Sequence, residues 1–195
     1  MRAGPGGPAG AGRGGRDVRD ARDRDRDSAG RPKNARPRDG LGRPLARGAS
    51  GEPTMPDDLG MEPGDAVQLA QRLIDEGRPF HAHEVFEAVW KSGPADQREL
   101  WQGLAQVAVG LTHAMRGNSR GAVSLLRRGS AAVEGYRARD GYCADGPAGA
   151  MPAGIDAAGI VGAATRLADQ IDAGGLASLT DADLRPRLTR PTRAG

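Results

Sequence analysis

From Leu100 to Met115 the chain carries no charged residue at all. As a helix this stretch makes about four turns. A helix without a charged face has to be covered on most of its circumference, so the fold must place it in the middle of other elements. Along it Leu100, Leu104, Val107 and Leu111 fall within about 60° of one another, while Gln102, Gln106 and His113 form a separate polar stripe. Gly103 and Gly110, seven residues apart, lie on one flank and would let a neighbouring helix approach closely. The polar stripe, on a helix so largely buried, has to find partners.

Four further helices are expected around this one. Asp65 is a good N-cap for a first helix carrying Val67, Leu69, Ala70, Leu73 and Ile74, which ends at Gly77. Pro79 suits the first turn of a second, running from Phe80 to about Lys91 and ending near Ser92 and Gly93. Pro94 opens the uncharged third helix, which reaches Arg116. Gly117 and Asn118 then serve as C-cap and next N-cap. A fourth helix spans Ser119 to Arg139 with Ala122, Leu125, Leu126, Gly129, Val133 and Tyr136 on one stripe. After a Gly/Pro-rich loop from Asp140 to Gly154, Asp156 caps a fifth with Ile160, Ala164, Leu167 and Ile171 on one face, ended by Gly174 and Gly175. No run of alternating β-branched residues supports a strand. The expected fold class is all-α, a single compact bundle of about five helices over residues 61–175, between a tail at 1–60 and an extended or disordered segment at 176–195.

Charge separates the tail from the bundle. The first 50 residues have a net charge of +7 and the remainder −4, so the pI of 9.6 describes the tail. Rich in Gly, Arg, Asp, Ala and Pro and without an aromatic residue before Phe80, residues 1–60 are expected to be disordered, because they bury too little apolar area to offset the entropy of ordering. Gly12-Arg13-Gly14-Gly15-Arg16 loosely resembles Arg/Gly segments that bind RNA, which makes nucleic acid a secondary partner of the tail. Met55 and Met61 leave open a start of translation beyond the tail. With no apolar run long enough for a membrane and no secretory leader, the expected partners exclude membranes and the expected location is cytoplasmic. The single Cys143 allows no internal disulfide and no cysteine-based zinc cluster.

The second helix carries the residues most suggestive of chemistry. With His83 as reference, Glu87, Trp90, Phe86 and Phe80 all lie within about 60° of it, while His81, Glu84 and Lys91 point elsewhere. An imidazole and a carboxylate on an aromatic helix face need a reason, since burying an ionisable group unpaired costs several kcal/mol, roughly. Three readings compete: a structural ion pair one turn apart, a metal or polar-ligand site, and acid/base catalysis on a small substrate. In the ligand reading His83, Glu87 and His113 would hold a divalent metal ion, and Phe80, Phe86, Trp90, Gln102 and Gln106 would line the site. His83-Glu84-Val85-Phe86-Glu87 is not the zinc-protease helix, because Glu87 stands where that motif has its second histidine. Neither a Glu-x-x-His pair, a phosphate loop nor a Gly-x-Ser-x-Gly elbow occurs.

These residues resemble the helical bacterial and archaeal family called domain of unknown function 309. Its His-x-x-x-Glu-x-x-Trp/Tyr hallmark is matched by His83, Glu87 and Trp90, preceded by Phe80. The resemblance continues through Trp101-Gln102-Gly103-Leu104, His113, Arg116-Gly117-Asn118 and Gly121-Ala122, and covers about residues 65–175. It implies a compact helical bundle and metal binding by the motif, with no activity attached. The functional expectation is therefore a small metal- or polar-ligand-binding domain whose ligand or protein partner the sequence does not name. The alternative is a non-catalytic interaction module, with His83 and Glu87 as a structural pair, because the helix pair joined at Gly117-Asn118 looks somewhat like a tetratricopeptide-type hairpin.

Overall fold

The chain divides into two units, residues 1–36 and 37–195. The computed structural model describes residues 37–46, 48–52, 60–139 and 151–190, all in the second unit. The readings of residues 1–36, of Met55, and of Cys143 with residues 140–150 of its loop fall outside the described residues. What is described is an all-helical bundle of five helices: α1 (Pro63–Asp75), α2 (Pro79–Ser92), α3 (Arg98–Met115), α4 (Ser119–Arg139) and α5 (Ala157–Gly174). No helix among the described residues is long and apolar enough to cross a membrane.

Local chemistry sets the helix ends. α1 starts two residues before the expected cap: Glu62 is extended, and Pro63 supplies the fixed φ of the first turn, leaving Asp65 inside that turn to favour the helix dipole. Its C-terminus is closed by Gly77 in the left-handed region (φ 74), with Gly77 N–H donating to Ile74 and Arg78 N–H to Leu73. The end of α3 repeats this pattern, as Gly117 (φ 81) donates to Ala114 and Asn118 to His113. Asn118 then caps α4, its Oδ1 accepting the Gly121 N–H at 2.9 Å. Asp156 caps α5 in the same way, through Gly159. Pro94 does not open α3; a 3-10 turn over Ala95–Gln97 intervenes, and the α-helix begins at Arg98.

Packing runs in chain order, α1 on α2, α2 on α3, α3 on α4 and α4 on α5. α3 is buried at eleven positions and turns only the side bearing Gln102, Gln106, Val109 and His113 toward solvent. The glycine flank meets α4: a Cβ on Gly103 would lie 3.0 Å from the Gly129 carbonyl, and one on Gly129 only 2.7 Å from the Gly103 carbonyl. The two backbones therefore touch where no side chain intervenes.

Both ends of the expected bundle need revision. Residues 176–190 do not trail away. Leu188 is buried in the core, its N–H donates to Gln71 Oε1 on α1 at 2.7 Å and its carbonyl accepts from Asp156. One apolar side chain and two anchored backbone groups suffice to hold a segment that is otherwise polar. The expected tail to residue 60 is likewise interrupted, because residues 37–46 and 48–52 form a loop organised around Arg38, which makes isolated antiparallel bridges with Pro44 and Glu52. That loop lies on the bundle at Phe80, as set out next.

Candidate site on the second helix

The core-facing side of α2 is formed by His81, Ala82, Val85, Phe86, Ala88 and Val89, all buried. The face of His83, Glu87, Trp90 and Phe80 is the outer edge of the helix, half-buried. Phe86 is thereby removed from the expected ligand lining: it is fully buried, its ring 6.3 Å from that of Trp101 on α3. The residue that the helical wheel turns away from His83 is turned into the core. His81 is 1 % exposed, and its Nδ1 has no hydrogen-bond partner.

His83 Nε2 stands 3.6 Å from Glu87 Oε2, an ion-pair contact longer than a hydrogen bond. Glu87 Oε1 meets Lys91 Nζ at 3.3 Å, so the carboxylate is shared along successive turns. On the other side of the imidazole, Nδ1 is buried without a hydrogen-bond partner. Burial holds the His83 pKa below its ordinary value, with Lys91 and Arg38 acting in the same direction; Glu87 and the Phe80 carbonyl oppose them. At neutral pH the ring is therefore neutral, with a lone pair available on one nitrogen.

Phe80 walls the site. Its ring centroid is 5.7 Å from that of His83 and 5.7 Å, edge-on, from that of His81. Two guanidinium groups approach the same ring, Arg38 at 5.4 Å and Arg116 at 5.8 Å. Gly42 of the loop is seated against it so closely that a Cβ would overlap the ring, and its φ of 73 suits glycine alone. The loop is held further by Arg116 Nη2, which donates to the Leu41 carbonyl, and by an ion pair of 2.6 Å between Arg78 and Glu52.

The remaining expected residues are divided. Gln106 is half-buried, with Oε1 orphaned. Gln102 is exposed, and Trp90 packs partly against the core. His113 lies in the last turn of α3 and faces the cap of α4: its Nδ1 is 2.8 Å from Asn118 Nδ2, and a Cβ on Gly121 would lie 2.8 Å from it. Among the described residues no three His, Cys, Asp or Glu side chains are grouped to hold a metal ion. His113 accordingly does not complete a three-residue centre with His83 and Glu87.

Sequence reasoning missed Lys91, Arg38, Gly42 and Arg116. Lys91 was legible as the residue one turn beyond Glu87. The loop was not, since nothing in a Gly/Arg/Pro-rich stretch marks which glycine will meet an aromatic ring 38 residues later. No curated protein and no solved structure matches the chain. Residues 67–125, from α1 to the first part of α4 and including every expected site residue, match the family described as domain of unknown function, DUF309.

Proposed function

We propose that the outer face of α2 is a binding site for a small polar ligand, with His83 and Glu87 as its polar pair and Phe80 and Trp90 as apolar walls. The observation that carries this reading is the state of His83: a mostly buried imidazole with an unpartnered Nδ1, beside a carboxylate that comes close without hydrogen-bonding to it. Closing the gap to Glu87 would leave Nδ1 as it is, and a buried polar atom left unsatisfied costs about 1–3 kcal/mol, which a ligand bonded at Nδ1 would relieve. Gln106, on the facing helix with its own orphaned oxygen, adds a second polar group in need of a partner. No reaction is assigned to the site.

Zn²⁺ is a suitable probe, since it takes a neutral imidazole nitrogen together with a carboxylate oxygen. A ligand that binds only the folded state stabilises it by about 2.7 kcal/mol at a hundredfold excess over Kd, which raises Tm on the order of ten degrees in a domain of this size. After chelation, added Zn²⁺ should raise the melting temperature of the full chain. The His83→Leu, Glu87→Met double variant keeps the side-chain volume and should fold, but lose the response. His113→Leu should keep it. A wild type indifferent to Zn²⁺ would return the pair to a structural role, the reading that the ladder from His83 through Glu87 to Lys91 otherwise favours.

A further inference from the structure

Among the described residues, the loop at Phe80 brings together more cations than carboxylates. Arg38 and Arg116 both stand over the Phe80 ring, and Arg43 follows in the same loop. None of the three is in an ion pair among the described residues, whereas Arg78 beside them takes both Glu52 and Glu76. Their hydrogen bonds lead to neutral acceptors: Arg38 Nη1 donates to the Gly42 carbonyl at 2.6 Å and Arg116 Nη2 to the Leu41 carbonyl. Arg116 Nε is buried and has no acceptor. Asp39 is the one carboxylate acting on Arg116, and its Oδ1 already receives the N–H groups of Leu41 and Arg43. Burial, offset in part by Asp39, and the like charges of Arg43 and Arg38 all bear on the Arg116 guanidinium. A loop that could have docked through neutral contacts alone instead collects positive charge against a half-buried arginine.

We propose that Arg38, Arg43 and Arg116 bind a phosphate group, free or on a small ester, which fastens the loop of residues 37–46 over α2 and α3. Guanidinium groups present parallel N–H donors that match tetrahedral oxyanions, and their bonds to such anions are shorter and stronger than those to carbonyls. A dianion would offset the repulsion among the three arginines, and its oxygens would offer Arg116 Nε the acceptor that the docked loop does not supply. This site adjoins the His83–Glu87 pair across the Phe80 ring, but neither His83 nor Glu87 is among its ligands.

The test is calorimetric titration of the full chain with inorganic phosphate and, separately, with glycerol phosphate, chloride holding the ionic strength constant. Saturable binding at one site is expected, weakened about tenfold in both Arg116→Gln and Arg43→Gln by loss of a charged donor. Arg166→Gln, an exposed change on α5, should leave it unchanged. The ligand that binds more tightly identifies the source of the phosphate group. Because the Arg43 side chain is exposed and makes no side-chain bond in the loop, its variant will fold even if Arg116→Gln does not. Binding no stronger than that of chloride, or equal in Arg43→Gln and wild type, would overturn the proposal.

Discussion

Each of the three histidines is held below its ordinary pKa of 6.5, with burial the largest cause in every case. For His81 the charge of Arg78 adds to this, while Glu52 and a hydrogen bond to Gly40 oppose it. Such a group binds a proton more readily in the unfolded chain than in the folded one. Its stabilising effect is therefore complete above the unfolded value and is lost as pH falls from about 6.5 toward the lower folded value. The perturbed carboxylates, Glu134 and Asp183, have ordinary values of 4.5 and 3.8 and are lowered further, so they add little in that window. The full chain should melt progressively lower between about pH 7 and about pH 5. His81→Leu, which removes the most buried of the three rings, should flatten that decline; equal slopes for variant and wild type would show that His81 does not charge on unfolding. At this scale the sequence was informative about types and spacing. His83, Glu87 and Phe80 share a face as the helical wheel required. The side of α2 that faces the core was not read from the sequence; besides Phe86 it is built of Ala82, Val85, Ala88 and Val89, whose small size gives no signal as plain as the aromatic face.

Among the elements, the contact of α3 with α4 is the one most tightly specified. The uncharged run from Leu100 and the glycines at 103 and 110 announced a buried helix with a close neighbour, and that is how the two helices pack. Gly129 was read only as part of the α4 stripe, yet it meets the Gly103 carbonyl and the Val107 side chain on α3. Alanine favours a helix over glycine by about 1 kcal/mol, but forced overpacking typically costs about 1–3 kcal/mol. Since a Cβ at 129 would meet backbone at 2.7 Å, the packing cost should dominate. Gly129→Ala is expected to lower the melting temperature by several degrees, roughly. Gly135→Ala on the exposed side of the same helix would meet only the movable end of Glu99, at 3.2 Å, and should leave it unchanged or raise it. Equal effects at the two positions would mean that the helices can separate without penalty. Helix ends were legible wherever a capping residue or a left-handed glycine governs them, as at Gly77, Gly117, Asn118 and Asp156. They were displaced where proline competed for the first turn, at Pro63 and Pro94.

For the whole molecule, a segment outside the helices completes the surroundings of the site on α2. Single side chains decide whether a polar stretch docks on the bundle. Leu188 brings the C-terminal segment onto α1, and Arg38 with Gly42 brings the N-terminal loop onto Phe80. Neither is visible as a periodicity, since the contacts span more than 30 residues of sequence and involve one residue at a time. The three histidines end in three different settings, His81 in the core, His113 in the last turn of α3 beside Asn118 and His83 on the outer face of α2 beside Glu87. They can therefore report separately on where a ligand goes. The most direct measurement is a Zn²⁺ titration of the full chain, labelled with ¹⁵N in its histidine rings and followed by NMR. The expected result is a saturable shift of the His83 ring signals, with those of His81 and His113 unmoved; signals of His83 that stay in place while either of the others moves, or while all three remain still, would contradict a binding site at His83 and Glu87.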